Sequence, residues 1–306
     1  MSSKWARLGR LIAPDQAIDW MTTHTGACAA AASTVPGRYD LYVSGRDKQN
    51  RSRIGRLTLD LTGEDPTITE IRREPVLELG ELGAFDDNGT SYPCVVESDN
   101  SRYLYYTGWT PSVTVPFQNH LGLARESSRD CFKRMSRAPI LHRTNEDFSS
   151  IGSVLVLRIE DSWRMWYTAF CGWHELGGTA RHRYEIKYAS SSDGIAWHRD
   201  DTTCIAGTGP DEHSICRPAI YRDKAGYHMI YSIRGRHYRL GYAISRDGIT
   251  WERRDEELEL CGELQEWENK SQCYPWVIEY GSTRYLLYCG NDYGRGGLGI
   301  ARQDIS

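Results

Sequence analysis

The chain has 306 residues, and its 19 Tyr and 10 Trp beside only 5 Phe favour strands over helices, because these large aromatic side chains suit a half-buried pleated surface. With 37 Lys and Arg against 41 Asp and Glu, the charge is nearly balanced, which argues against a nucleic-acid partner. No apolar run approaches the length of a membrane span or of a secretory leader, so the sequence predicts a cytoplasmic protein without a membrane span.

Five related segments follow one another along the chain, at the period of roughly 40 to 60 residues that is typical of propellers. Each contains three stretches of alternating polarity separated by turn residues, which predicts three strands. The predicted units cover 19–75, 86–140, 148–199, 211–255 and 267–304.

The middle stretch of each unit carries the clearest repeat. In chain order it reads Arg38-Tyr-Asp-Leu-Tyr, Arg102-Tyr-Leu-Tyr-Tyr, Trp163-Arg-Met-Trp-Tyr, Tyr227-His-Met-Ile-Tyr and Arg284-Tyr-Leu-Leu-Tyr. The third and fourth units also end on Asp-Gly-x-x-Trp, at Asp193 to Trp197 and Asp247 to Trp251, which predicts a turn into a fourth strand. Four strands per repeat favour a single all-β domain over 1–306, a five-bladed β-propeller with four-stranded antiparallel blades. A solenoid is the structural alternative, but its repeats are commonly shorter and need end caps.

The nine cysteines are an odd number without a C-x-x-C pair, so the sequence predicts free thiols. No acidic loop has calcium spacing, and His24 and His213 fall short of a metal site by spacing alone, so we expect neither a metal nor another cofactor.

In a propeller, a ligand pocket forms at one mouth of the axial channel, where the starts of the inner strands meet the links after the middle strands. The polar and aromatic side chains at those positions are the predicted ligand-binding residues, namely His24, Arg46, Trp109, Trp173, His213, Arg217, Arg234, Tyr274 and Asn291. The carboxylates there are the candidate catalytic groups, with Glu212 as acid/base and Asp87 or Glu268 as its partner.

Aromatic rings stack on sugar faces, and arginines match carboxylate or phosphate groups bidentately. The sequence therefore predicts an anionic sugar or sugar nucleotide as ligand. Two structural alternatives accompany this interpretation: Glu212 and Arg217 could form an ion pair between blades, and Tyr92, Tyr274, Pro93, Pro218 and Pro275 share one register, which indicates a common structural role.

The repeats resemble the five-bladed propellers of the glycoside hydrolase superfamily that includes arabinanases, xylosidases, invertases and mannoside phosphorylases. More narrowly, the chain is similar to glycosyl-hydrolase-like proteins associated with bacterial polysaccharide or lipopolysaccharide biosynthesis. The segments that carry the resemblance are Trp163 to Tyr167, Asp211 to Pro218, Tyr238 to Trp251, Cys273 to Val277 and Gly290 to Arg295. It implies a carbohydrate-active enzyme of this fold over about 19–302.

The sequence departs from the superfamily at two catalytic positions and from the narrower group at one further position. Thr23 stands where invertase-like members carry their nucleophilic Asp, and the third unit opens at Ser149 without their acidic residue. Glu212 and Arg217 match a Glu-x-x-x-x-Arg-Pro pattern of the narrower group, whereas Lys270 stands where that group carries Glu. Two functions therefore remain open, glycoside-bond chemistry by hydrolysis or transfer, and a non-hydrolytic propeller that binds sugar or performs other sugar-nucleotide chemistry. A pair of facing carboxylates would favour the first function, and a lining of Arg, Tyr and Trp would favour the second.

Overall fold

The computed structural model describes residues 3–176, 178–209 and 211–305. The strands are β1 (Ser3–Ile12), β2 (His24–Ala32), β3 (Arg38–Arg46), β4 (Ser52–Asp60), β5 (Thr67–Ile71), β6 (Gly89–Ser98), β7 (Ser101–Pro111), β8 (Phe117–Ser128), β9 (Cys131–Arg134), β10 (Ile151–Ile159), β11 (Ser162–Leu176), β12 (Thr179–Ser191), β13 (Thr203–Ile205), β14 (Ser214–Asp223), β15 (Gly226–Arg234), β16 (Tyr238–Ser245), β17 (Glu252–Arg253), β18 (Leu258–Cys261), β19 (Cys273–Tyr280), β20 (Thr283–Cys289) and β21 (Leu298–Asp304).

In the described ranges, helical structure is confined to short turns. Two 3₁₀ turns cover Asp19–Met21 and Asp255–Glu257. A four-residue turn, α1, covers Asn291–Gly294, and its Asp292 and Tyr293 have left-handed backbone angles. The prediction of an all-β protein is confirmed.

Hydrogen bonds join the strands into three sheets. The first contains β2 to β9 and the second β10 to β17, while the third has the order β18-β1-β21-β20-β19. Each eight-stranded sheet consists of two antiparallel units of four consecutive strands, joined by single parallel bridges at Ser52–Gly89 and Tyr184–Ser214. In chain order the strands of these sheets form the groups β2–β5, β6–β9, β10–β13, β14–β17 and β19–β21, and β13 lies past residue 199, the predicted end of the third repeat.

The fifth unit takes its fourth strand from the other end of the chain. Strand β1 pairs antiparallel with β21, and β18 adds to its far side in parallel. The buried Trp5 side chain anchors β1 among Trp267, Leu286 and Tyr288. The sequence analysis did not predict β1, because the N-terminal segment lies outside every repeat.

The first strands of the units contact one another in cyclic order, β2 with β6, β6 with β10, β10 with β14, β14 with β19, and β19 with β2. All five carry a β-bulge at the same register, and the residues at the bulges are Gly26-Ala27, Tyr92-Pro93, Gly152-Ser153, Arg217-Pro218 and Tyr274-Pro275. Tyr92, Arg217 and Tyr274 have positive φ angles of 49°, 53° and 56°, which non-glycine residues seldom adopt. The register shared by these residues and the prolines therefore has a structural origin, a bulge repeated in every first strand.

Tertiary contacts hold the strained bulges in place. The backbone N–H groups of Tyr92 and Tyr274 donate to the hydroxyls of Ser44 and Ser232, each at 2.8 Å, and each hydroxyl belongs to the second strand of the preceding unit. All nine cysteines are free thiols, as predicted. Within the described ranges, no helix has the length and apolar character needed to cross a membrane.

Candidate functional site

A cavity of about 550 Å³ lies at the end of the units where β3, β7, β11 and β15 finish. Aromatic rings form much of its wall, and they belong to Tyr92, Trp109, Phe117, Tyr184, Tyr238, Tyr274 and Tyr293. Arg46, Arg181 and Arg234 supply positive charge, and His182 and His213 lie beside them. Among the described residues, no Asp or Glu lines this cavity, so its chemistry is aromatic and cationic.

Arg234 lies at the centre of the polar contacts. Its Nη2 donates to the Tyr293 hydroxyl at 2.8 Å, and its Nη1 lies 2.7 Å from Nε2 of His182. Its guanidinium also lies over the rings of Tyr238 and Tyr293, at 5.4 and 5.6 Å from their centroids. These contacts hold the side chain in one place, yet none of them neutralises its charge.

Arg46 is held in a similar way. Its Nη1 donates to Oδ1 of Asn50 at 2.7 Å, and its guanidinium lies 5.6 Å from the centroid of the Trp109 ring. Trp109 is itself fixed by a hydrogen bond from its indole N–H to Ser52 at 2.7 Å. Arg46 therefore presents a positioned cation beside an aromatic face.

The lack of carboxylate partners distinguishes the cavity arginines from those elsewhere. Arg134 pairs with Asp86 at 2.7 Å, Arg199 with Asp147 at 3.0 Å, and Arg56 with three carboxylates. In the described part of the chain, Arg46, Arg181 and Arg234 form no such pair. Gathering unpaired cations is unfavourable without a counter-charge, so this cavity is suited to an anionic ligand.

The histidines of the site are held in the neutral form. Burial, followed by the charges of Arg46 and Arg295, lowers the pKa of His24 to about 4. Burial, followed by the charge of Arg234, lowers the pKa of His182 to about 3. Because Arg234 can only donate, His182 Nε2 is the acceptor and its proton lies on Nδ1. Neutral imidazoles add hydrogen-bonding groups to the cavity without further positive charge.

Seven of the nine predicted ligand-binding residues lie in or beside the cavity. Arg46, Trp109, His213, Arg234 and Tyr274 line the cavity, and His24 lines a small adjoining recess with Tyr92 and Tyr274. Trp173 lies behind the wall, where its ring meets Phe117 and His182 edge-on at 5.4 and 5.3 Å.

Asn291 and Arg217 have other surroundings. The Asn291 amide accepts from the backbone N–H groups of Lys270 and Ser271, at 2.8 and 3.0 Å, in a separate surface cleft. Arg217 is fully buried on the axis, where it donates to the carbonyls of Cys28 and Pro93 at 2.6 and 2.8 Å. The alternative ion pair between Arg217 and Glu212 is wrong, because Arg217 bonds to carbonyls and Glu212 bonds to other arginines.

The three candidate catalytic carboxylates do not line the cavity. The fully buried Glu268 accepts from the Tyr288 hydroxyl at 2.7 Å and pairs with Arg7 at 3.4 Å. Asp86 and Asp147 have the same kind of environment, with a tyrosine hydroxyl and an arginine each. In each case the carboxylate connects the loop before a first strand to the outer part of the same unit. The repeated pattern indicates a structural role for Glu268. Asp87 accepts from the Gly83 N–H at 2.9 Å.

Glu212 is also bound to arginines. Its carboxylate accepts from Arg253 at 2.8 Å, from Arg239, and from the Thr208 hydroxyl at 3.0 Å. The hydrogen bond from Arg253 is the main cause that lowers the pKa of Glu212 to about 2. The sequence analysis named a different arginine, Arg217, as the possible partner. A carboxylate with this pKa is ionised at neutral pH and is a poor proton donor there.

We expect Glu212→Gln to lower the free energy of unfolding by about 1 kcal/mol at pH 7, because the charge-assisted bonds to Arg253 and Arg239 are lost. The folded pKa lies below the ordinary value of 4.5, so this contribution is complete above pH 4.5 and disappears as the pH falls towards 2. Urea unfolding of wild type and variant at pH 7 and pH 3 measures both effects. Glu252→Gln, at an exposed pair with Arg254, is the matched control. If Glu212→Gln keeps the wild-type stability but no longer turns over a sugar that the wild type converts, the result would support Glu212 as the catalytic acid/base.

Sequence reasoning missed several residues that line the cavity. Arg181 and His182 lie on β12 and reach the site because β11 and β12, with 15 and 13 residues, are the longest strands described. Tyr293 reaches it through the left-handed turn α1. The long stretch of alternating polarity before and after Gly178 could have indicated Arg181 and His182. No local pattern indicates the turn α1, which places Tyr293.

Comparison with curated proteins gives two relatives in Mycobacterium tuberculosis. They are named "Uncharacterized protein MT1551", from strain CDC 1551 / Oshkosh, and "Uncharacterized protein Rv1502", from strain ATCC 25618 / H37Rv. Each is 37% identical over 300 residues, which is 97% of this chain and 98% of the relative. The chain belongs to the family of these mycobacterial proteins. No protein-family model matches it.

Similar solved structures include a glycosyl hydrolase from Bacteroides ovatus, with 16% identity over 99% of this chain and 94% of that chain at a TM-score of 0.73. A structure from work on the GH130 family of mannoside phosphorylases has 15% identity with the same coverages and TM-score. A thermostable family-43 glycoside hydrolase has 17% identity over 96% and 92% of the two chains at a TM-score of 0.70. At these identities the likeness shows the fold alone, so this chain has the all-β propeller fold of these glycoside-hydrolase-like structures.

Proposed function

We propose that the protein is a carbohydrate-active protein that binds an anionic sugar or sugar nucleotide in the cavity. The observation that carries this proposal is the set of three arginines, Arg46, Arg181 and Arg234, which line an aromatic cavity without a carboxylate partner among the described residues. Their guanidinium groups match carboxylate or phosphate, and the faces of Trp109 and the tyrosines match a sugar ring.

The lining favours the non-hydrolytic form of this function. Glycoside hydrolysis commonly uses two carboxylates that face each other across the bond. The described lining contains Arg, Tyr, Trp and His instead. Glycoside-bond chemistry through Glu212, Asp87 and Glu268 stays a prediction, supported by the names of the structural neighbours, which are hydrolases and mannoside phosphorylases.

Three further parts of the proposal concern the whole chain. We infer five blades, supported by the cyclic contacts of the first strands and by the bulge repeated in each of them. We also propose a single domain, a cytoplasmic location and a role in bacterial polysaccharide metabolism. The bacterial source of the relatives is consistent with that role.

Calorimetric titration of wild type with glucose, glucuronic acid and glucose 1-phosphate tests the ligand class. We expect either charged sugar to bind at least about tenfold more tightly than glucose, since tenfold corresponds to about 1.4 kcal/mol, less than the range for hydrogen bonds to charged groups. The difference in affinity should be smaller in 0.3 M NaCl, because dissolved ions screen the charges of those arginines that solvent reaches. Equal binding of glucose and the two charged sugars, or binding of none of them, would contradict the proposal.

A further inference from the structure

The positive charge of the cavity is divided between two places, which we call the first pole and the second pole. The first pole consists of Arg46, Arg295 and His24. Arg46 lines both the cavity and its adjoining recess, and His24 lines the recess. Arg295 lies beside the recess, where its Nε is 3.4 Å from Nε2 of His24. The Nδ1 atom of His24 lies 2.8 Å from the Thr23 hydroxyl, which fixes the ring.

The second pole consists of Arg181, Arg234, His182 and His213. All four side chains line the cavity, and Nη1 of Arg234 contacts His182 at 2.7 Å. Arg181 is exposed, and it has no carboxylate partner within the described ranges. The second pole therefore carries two guanidinium groups on a wall formed by β12 and β15.

The poles lie on different sides of the ring of units. The first pole belongs to β2, β3 and the segment after β20, which are parts of the first and fifth units, whereas the second belongs to the third and fourth units. Burial is the largest cause of the lowered pKa of both histidines, and the charges that add to it differ, Arg46 and Arg295 for His24 and chiefly Arg234 for His182. Tyr293 lies between the poles, bound to Arg234 and lining both the cavity and the recess.

We propose that the ligand carries two phosphate groups, one bound at each pole, with the sugar ring against the aromatic wall between them. This inference rests on the proposed function and narrows its ligand class. A single anionic group at one pole would leave the two guanidinium groups of the other without a counter-charge. Two phosphates neutralise both poles, and the guanidinium fork matches phosphate oxygens.

A sugar bisphosphate has this arrangement, because its two phosphates are attached at different sides of the sugar ring. The two phosphates of a nucleoside diphosphate sugar share a bridging oxygen, so they cannot lie at separate poles with the sugar between them. Glucose 1,6-bisphosphate represents the first kind of ligand, uridine diphosphate glucose represents the second, and glucose 1-phosphate is the singly phosphorylated reference. Calorimetric titration at one ionic strength should give at least about tenfold tighter binding for glucose 1,6-bisphosphate than for either of the other two compounds.

Variants at each pole test the assignment of the two phosphates. Arg295→Gln removes one charge from the first pole and Arg181→Gln one from the second, and both side chains are exposed, so folding should be retained. We expect each variant to reduce the affinity for glucose 1,6-bisphosphate about tenfold, but only Arg181→Gln, at the second pole with its two guanidinium groups in the cavity wall, to weaken glucose 1-phosphate binding. Arg137→Gln, at an exposed ion pair with Glu81, is the control for net charge and should change neither affinity.

The outcomes separate this inference from the proposed function. If glucose 1-phosphate binds more tightly than glucose but glucose 1,6-bisphosphate binds no more tightly than glucose 1-phosphate, or if only uridine diphosphate glucose binds more tightly than glucose 1-phosphate, the two-pole inference is overturned while the anionic ligand stands. Equal weakening of glucose 1-phosphate by Arg295→Gln and Arg181→Gln would also overturn it, because one phosphate would then use both poles. If neither glucuronic acid nor any phosphorylated sugar binds, both proposals fail.

Discussion

Arg217→Ala is expected to lower the free energy of unfolding by about 4 kcal/mol, a large share of the 5–15 kcal/mol that is typical of a folded protein. The Arg217 guanidinium is fully buried and donates to four backbone carbonyls, those of Cys28, Tyr92, Pro93 and Val154, at 2.6 to 3.5 Å. These carbonyls belong to the first strands of three other units. Removing the side chain leaves a void and buried acceptors without their donor.

Arg217 also contacts the remaining unit, since its guanidinium lies 5.6 Å from the centroid of the Trp276 ring on β19. One side chain from the fourth unit therefore touches all four others. Burial lowers the pKa of Arg217 from its ordinary value, in agreement with a cation that has no carboxylate partner among the described residues. The dipoles of the four carbonyls offset the free-energy cost of burying this charge. This offset requires that the ring of first strands is intact, because those strands supply the carbonyls.

Urea unfolding followed by tryptophan fluorescence measures the change. Arg222→Ala is the matched control, because Arg222 lies on the same strand, is exposed and stacks over Tyr227 at 5.2 Å; we expect a loss below about 1 kcal/mol. If Arg217→Ala does not fold, Arg217→Lys retains the charge with fewer donors and should have intermediate stability. A wild-type midpoint for Arg217→Ala, combined with lost ligand binding, would instead support the predicted role in substrate binding.

Arg234→Met is expected to weaken binding of glucuronic acid or glucose 1-phosphate about 100-fold, which corresponds to about 2.7 kcal/mol. Methionine keeps much of the length and the apolar contact with Tyr238 and Tyr293, but it removes the donors and the charge. The free energy of unfolding should change by less than about 1 kcal/mol, because the cavity loses one of several cations that repel one another.

Arg246→Met is the control for this variant. Arg246 is exposed in the turn after β16, at the end of that strand away from the cavity, so the substitution makes the same charge change in the same unit. We expect wild-type affinity for the control. Unchanged affinity in Arg234→Met would show that the anion is bound elsewhere, and a large loss of stability would indicate a structural role for Arg234.

The repeat and the strand positions could be predicted because they depend on local patterns. Alternating polarity around Arg102 to Tyr106 or Tyr227 to Tyr231 is a property of the segment itself, since one face of each strand must be buried. Several cavity residues could be predicted for the same reason: Arg46, Trp109 and Arg234 stand at the ends of middle strands, and the repeated topology brings those ends together.

The partners of charged side chains could not be predicted in this way. Glu212 stands near His213 in the sequence, yet its partners are Arg239 and Arg253 on later strands of the unit. Glu268 stands at a strand start like a site residue, but Arg7, which comes from the other end of the chain, pairs with it. Burial and pairing decide whether a carboxylate is a structural group or a reactive one, and both depend on distant segments.

The sequence by itself determined the all-β fold, the five repeats, the free thiols and the expectation of an anionic, sugar-like ligand, because periodicity and residue type are local properties. Only the tertiary structure decided that Arg217 lies on the axis and not in the cavity, that β1 completes the fifth unit, and that Arg181, His182 and Tyr293 join the site. These features arise where strands of different units meet. The bulges and the long β11–β12 hairpin that create them bring together residues that are far apart in the chain.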